Sequence, residues 1–116
     1  MHIKVKLKGS SVTIDPMVFS VKHGNHPIKW KMKDDSDQFD FDNPPVTFDN
    51  ANAPMSTPTP HGSSADSNDS NQNSSANGVD YTYHVHLIDP SGGKITYPPL
   101  HDPCDTADPA IRNEPK

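Results

Sequence analysis

The chain has little of what most catalytic, disulfide-stapled or membrane-spanning proteins need. Its 116 residues hold one cysteine, Cys104, so an internal disulfide is excluded. No apolar run reaches the ~20 residues of a spanning helix, and no signal-peptide apolar core follows Met1. A cytoplasmic location is the default expectation, with a periplasmic or secreted one if the N-terminus has been trimmed. Phosphate-cradling glycine loops, paired-carboxylate motifs and Ser/His/Asp arrangements are not recognisable, which argues against an enzyme. No segment repeats its apolar residues at the helical period over ten positions, which excludes a helical interior. With 30% hydrophobic residues and 13 prolines, only a small core is affordable for what reads as one domain over residues 1–116.

What is present is alternation. Asp80 to Asp89 reads Asp-Tyr-Thr-Tyr-His-Val-His-Leu-Ile-Asp, placing Tyr81, Tyr83, Val85 and Leu87 on one face of a strand and Thr82, His84, His86 and Ile88 on the other. Ile3, Val5 and Leu7 alternate with lysines in the opening strand, and Ile28, Trp30 and Met32 alternate with Lys29, Lys31 and Lys33. Shorter strands are expected around Val12 to Ile14, Val18 to Val21, Phe39 to Phe41, Val46 to Phe48, Lys94 to Tyr97 and Ala110 to Asn113. Gly24 and Asp89-Pro90-Ser91-Gly92-Gly93 mark turns between them. Trp30, Tyr83 and Val85 are the expected centre of the core, with Trp30 between two sheets. Many short strands without a helix imply an antiparallel sandwich or barrel. Residues 49–79 are rich in Ser, Asn, Asp and Pro with almost nothing to bury, and read as a low-complexity insertion or loop.

Charge is divided along the chain. Residues 1–33 hold seven lysines and Asp15, a balance of +6, while residues 34–116 hold three basic and fourteen acidic residues, a balance of −11; together they give the net −5. Two readings follow: the halves neutralise each other on folding, or a lysine-faced sheet binds an anion. Lysines on the solvent side of strands also guard sheet edges against aggregation. The only arginine is Arg112, whereas nucleic-acid binders usually cluster several, so nucleic acid is not expected.

Two constellations carry possible chemistry. His84 and His86 lie two apart on one strand face, rings about 7 Å apart, a spacing that offers two imidazoles to one zinc or copper ion, with His101, Asp102, Cys104, His26 or His23 as candidates for the third ligand. His101-Asp102-Pro103-Cys104 sets a thiol near an imidazole, the pair that activates a cysteine nucleophile, but no oxyanion donor accompanies it. The acids Asp34, Asp35 and Asp37 fit no calcium-loop spacing.

The order of an alternating first strand, Ile14-Asp15-Pro16, the turn at His23-Gly24, the strand Ile28-Lys29-Trp30-Lys31-Met32, then Tyr81-Thr82-Tyr83-His84-Val85 and Asp108-Pro109-Ala110-Ile111 resembles the cupredoxin-like β-sandwich domains. The resemblance implies a Greek-key sandwich of seven or eight strands. It does not carry the blue-copper site. That site takes a thiolate, a second His and a Met from one loop, and Cys104 is followed by neither His nor Met. The expectation is therefore an all-β, antiparallel, cupredoxin-like module with a long polar insertion, no cofactor and no catalysis, which binds a protein partner. The alternative is a non-blue metal protein built on His84 and His86.

Overall fold

In a computed structural model, residues 2–8, 11–33, 39–98 and 108–116 are described. Among them the chain forms ten strands and no helix: β1 (Ile3–Lys8), β2 (Ser11–Asp15), β3 (Val18–Val21), β4 (Gly24–Met32), β5 (Asp40–Phe48), β6 (Thr59–Pro60), β7 (Ser64–Asn71), β8 (Val79–Ile88), β9 (Lys94–Tyr97) and β10 (Ala110–Asn113). No helix among the described residues is long and apolar enough to cross a membrane.

The strands divide into two sheets. One has the order β2-β1-β4-β7-β6 and the other β3-β10-β8-β5, with β9 also paired to β8. β8 is long enough to take three partners. β10 pairs its first half, β9 its second half, and β5 lies along the opposite edge. The expectation of purely antiparallel pairing is corrected at two places: β1 and β4 run parallel, as do β3 and β10. The first follows from chain path. After the β1–β2 hairpin the chain crosses to the second sheet as β3, then returns as β4 beside β1 in the same direction.

Period-2 alternation buries one side of β1, β4, β7 and β8 between the sheets. Ile3, Val5 and Leu7 of β1, Ile28, Trp30 and Met32 of β4, and Tyr83, Val85 and Leu87 of β8 line a common core with Phe41, Val46 and Ile111. Trp30 is fully buried and crosses the gap between sheets. Its ring lies 5.6 Å from Tyr83 in an edge-on arrangement and 6.5 Å from Phe48, and Phe48 meets Tyr83 at 6.0 Å. Such triads add to area burial because the ring edge of one aromatic faces the electron-rich face of the next. Burial pushes the ionisation of the Tyr83 hydroxyl up, with the Trp30 indole drawing it back. Neither the Tyr83 hydroxyl nor Trp30 Nε1 completes a hydrogen bond of ordinary geometry.

The low-complexity stretch is the largest departure from the sequence expectation. Residues 49–79 are not a loop throughout: β7 occupies eight of them, inside its sheet, with eight register pairs to β4 from Gly24↔Asn71 to Lys31↔Ser64. Its inward residues are Ala65, Ser67, Asp69 and Asn71, all buried. Only alanine among these is apolar, so hydrophobic patterning could not reveal the strand. Its polar side chains bond instead to neighbouring backbone. Ser67 Oγ donates to the Ser56 carbonyl, and Asn71 Nδ2 donates to the carbonyls of Val21 and Glu114. Residues 54–60 run along the far side of β7 as an irregular edge, held by the Met55↔Asp69 bridge, the Ser56 and Ser70 amides, and β6.

The aromatic triad sets a stability test. Trp30→Ala is expected to cost about 3–5 kcal/mol, the usual range for emptying a buried aromatic site. Tyr83→Phe should change stability by less than about 1 kcal/mol, because the hydroxyl it removes is buried without a partner. Urea denaturation of both variants measures the two effects.

Candidate functional site

Two faces merit a functional reading: the outer face of β8, which carries the histidine pair, and the outer face of the β1/β4 sheet, which carries the lysines.

On β8 the alternation that buries Tyr83, Val85 and Leu87 turns His84 and His86 outward, where β5 and β9 flank them and leave both half-buried. Every ring nitrogen has a partner. His84 Nε2 lies 2.9 Å from Asp49 Oδ1, and His84 Nδ1 lies 2.9 Å from the Pro98 carbonyl oxygen. Both partners can only accept, so both contacts are satisfied together when each ring nitrogen carries a proton. Asp49 is held in turn by Thr82, whose hydroxyl donates to Oδ2 at 2.6 Å. His86 meets two hydroxyls, Thr47 Oγ1 at 2.8 Å from Nε2 and Thr96 Oγ1 at 3.1 Å from Nδ1. A hydroxyl can donate or accept, so these contacts suit a neutral ring. Burial lowers the His86 pKa, the neighbouring His84 lowers it further, and Asp42 partly opposes them.

The two imidazoles are thus adjacent but chemically unlike, one bridging two acceptors and the other bridging two hydroxyls. A metal would need a lone pair from each ring aimed at one point, and would have to displace these bonds to obtain them. Among the described residues no cluster of three His, Cys, Asp or Glu side chains is placed to hold a metal ion. His101, Asp102 and Cys104, and with them the thiol–imidazole pair, lie outside the described residues, as do the acids Asp34, Asp35 and Asp37.

On the first sheet the same alternation that buries Ile3, Val5, Trp30 and Met32 turns the lysines to solvent. Lys4 and Lys31 are direct cross-strand partners in the parallel β1–β4 pair, and Lys29 and Lys33 extend the row. Lys4, Lys29, Lys31 and Lys33 are exposed, and Lys6 on the same face is half-buried. The register sets acids only at the flanks, Asp15 opposite Lys4 and Asp66 opposite Lys29. The charge field is felt by His2, whose pKa is lowered first by lost hydration and then by the amino terminus and by Lys29, Lys31 and Lys4.

Among the described residues, the acids of the second half that form ion pairs do so away from Lys4, Lys29, Lys31 and Lys33. Asp80 takes the Arg112 guanidinium in a two-point contact at 2.7 and 3.0 Å, Asp42 lies 3.5 Å from Lys94 Nζ, Asp49 meets His84, and Asp66 lies 3.3 Å from His61 Nε2. These described acids therefore meet partners from their own half of the chain. Lys4, Lys29, Lys31 and Lys33 form no ion pair among the described residues.

Sequence reasoning located both rows but missed their setting. Thr47, Asp49, Thr96 and Pro98 are distant in sequence from the histidines they hold, and strand pairing alone brings them there. The two lysine strands are neighbours inside their sheet, which the linear pattern does not reveal. No known protein-family model matches the chain, and neither does any curated protein sequence.

Zinc titration checks the histidine geometry. Wild type and the His84→Ala/His86→Ala variant are expected to bind equally weakly; tight binding lost in the variant would show that the four hydrogen bonds yield to a metal.

Proposed function

We propose that the chain is a non-catalytic binding module, a cupredoxin-like Greek-key sandwich without a blue-copper site, whose lysine face receives an acidic protein surface. The fold part of this reading rests on the sequence resemblance together with a chain path that crosses repeatedly between the two sheets. The observation that carries the functional part is the location of the lysines. β1 and β4 are interior strands, flanked by β2 on one side and β7 on the other. Edge protection therefore does not account for them, because a guard against strand addition belongs on an outer strand.

Holding like charges on adjacent strands is unfavourable by roughly 1 kcal/mol per close pair even in water. An acidic partner relieves that repulsion on binding and is attracted from a distance, with a range set by salt. The composition of the face favours protein over nucleic acid. Among the described residues it presents no Phe, Trp or Tyr on which a base could stack, and Arg112 lies on the other sheet, engaged with Asp80. Lysines act here as point charges suited to carboxylates distributed over a surface.

The test is Lys31→Glu. The substitution sets a carboxylate beside Lys4, replacing repulsion with a cross-strand pair worth about 0.2–1 kcal/mol. Stability is expected to hold or rise while binding to an immobilised poly-glutamate peptide falls about tenfold or more, equivalent to about 1.4 kcal/mol. Wild-type binding should weaken steeply with salt, and a Lys94→Glu/Lys116→Glu control should retain most of it. Unchanged binding in Lys31→Glu, or stronger binding to a single-stranded oligonucleotide than to the acidic peptide, would overturn the reading.

A further inference from the structure

Asp69 is fully buried on the inward face of β7, within the first sheet, and faces Asn113 of β10, within the second. Asn113 Nδ2 donates to Asp69 Oδ1 at 3.2 Å, and this is a direct side-chain hydrogen bond between the two sheets. The remaining oxygens of the same two groups, Asp69 Oδ2 and Asn113 Oδ1, are both buried and both without a hydrogen-bond partner. A carboxylate and an amide carbonyl are acceptors only, so two adjacent groups are short of one donor between them. Reversing the Asn113 amide does not supply it, because that would turn its oxygen toward Asp69 Oδ1.

We propose that Asp69 is held as a neutral carboxylic acid whose proton on Oδ2 bonds to Asn113 Oδ1, closing a two-point acid–amide ring that joins the sheets. The proton satisfies both orphaned oxygens and needs no added space, and it removes an uncompensated charge from the interior. Burial raises the Asp69 pKa, opposed by the Asn113 hydrogen bond, the Asn71 backbone amide and the charge of His26.

The surroundings are otherwise sparing of charge. On β4 the register partner is His26, whose Nε2 lies 3.4 Å from the His23 carbonyl; on the other edge the partner is Met55. On β7 itself Ser67 and Asn71 share the inward face, and β3 and the residue after β10 present the Val21 and Glu114 carbonyls to Asn71. Arg112, next to Asn113, belongs to the opposite face with Asp80. His26 and Glu114 are therefore the titratable neighbours to hold in view, and a protonated His26 works against the acid form.

The sign of the pH effect follows. The folded chain binds this proton more tightly than the unfolded chain does, so the contribution is complete below the ordinary carboxyl pKa of about 3.9 and is lost as pH rises through the raised folded value. Asp69→Asn supplies a permanent donor of the same shape. It is expected to match wild type near about pH 4 and to exceed its Tm by roughly 4 °C or more near about pH 8.

Carboxyl carbon NMR on the unaltered protein reads the same proton without any variant. The Asp69 signal should stay at its protonated position at pH values well above the ordinary carboxyl pKa of about 3.9. Three results would overturn the proposal: titration of Asp69 together with the exposed acids, an Asp69→Asn variant less stable than wild type at every pH, or stabilisation of wild type but not Asp69→Asn by calcium or sodium, which would assign the two oxygens to a cation.

Discussion

The pleat of β4 is the constraint on which the rest of the molecule depends. Successive side chains of a strand must point to opposite faces, so placing Ile28, Trp30 and Met32 in the core places Lys29, Lys31 and Lys33 in water. The parallel neighbour β1 is locked in the same phase, since Ile3 is registered against Trp30 and Lys4 against Lys31. Core and charged face are thus two results of one alignment. A slip of one residue would expose the tryptophan and bury a lysine, and this makes the register exacting.

The second sheet answers through β8, where the same rule brings Tyr83 against Trp30 and turns His84 and His86 outward. The histidines read from sequence as a possible metal pair because spacing on one strand is all that sequence displays. Their partners come from β5, from the residue following it, and from β9 and the proline after it. In place they act as cross-links that tie neighbouring strand ends to β8, with a different hydrogen-bonding role for each ring.

How far the fold was legible depended on what each strand buries. β1, β4 and β8 announce themselves because their buried residues are apolar, and Trp30 and Tyr83 stand out as large residues in period-2 runs. β7 was illegible for the opposite reason. Its inward Ser67, Asp69 and Asn71 are stabilised by bonds to carbonyls and to one amide, and such partners cannot be inferred from local pattern. The parallel pairing of β1 with β4 and of β3 with β10 was equally hidden, because alternation reports which side faces inward and carries no strand direction. The lysine rows were visible in the sequence, yet their meaning was not. Only the strand order separates a guarded edge from a charged interior face.

The rim formed by residues 54–60 has a further effect on how the molecule behaves among its own kind. Pro54, Pro58 and Pro60 have no amide hydrogen, so a foreign strand approaching there finds an interrupted ladder of donors. That margin is a poor template for growth; among the described residues the other outer strand of this sheet is β2, which has no proline within it. The least apolar segment of the chain thus gives this sheet two unlike outer strands, one interrupted by proline and one not.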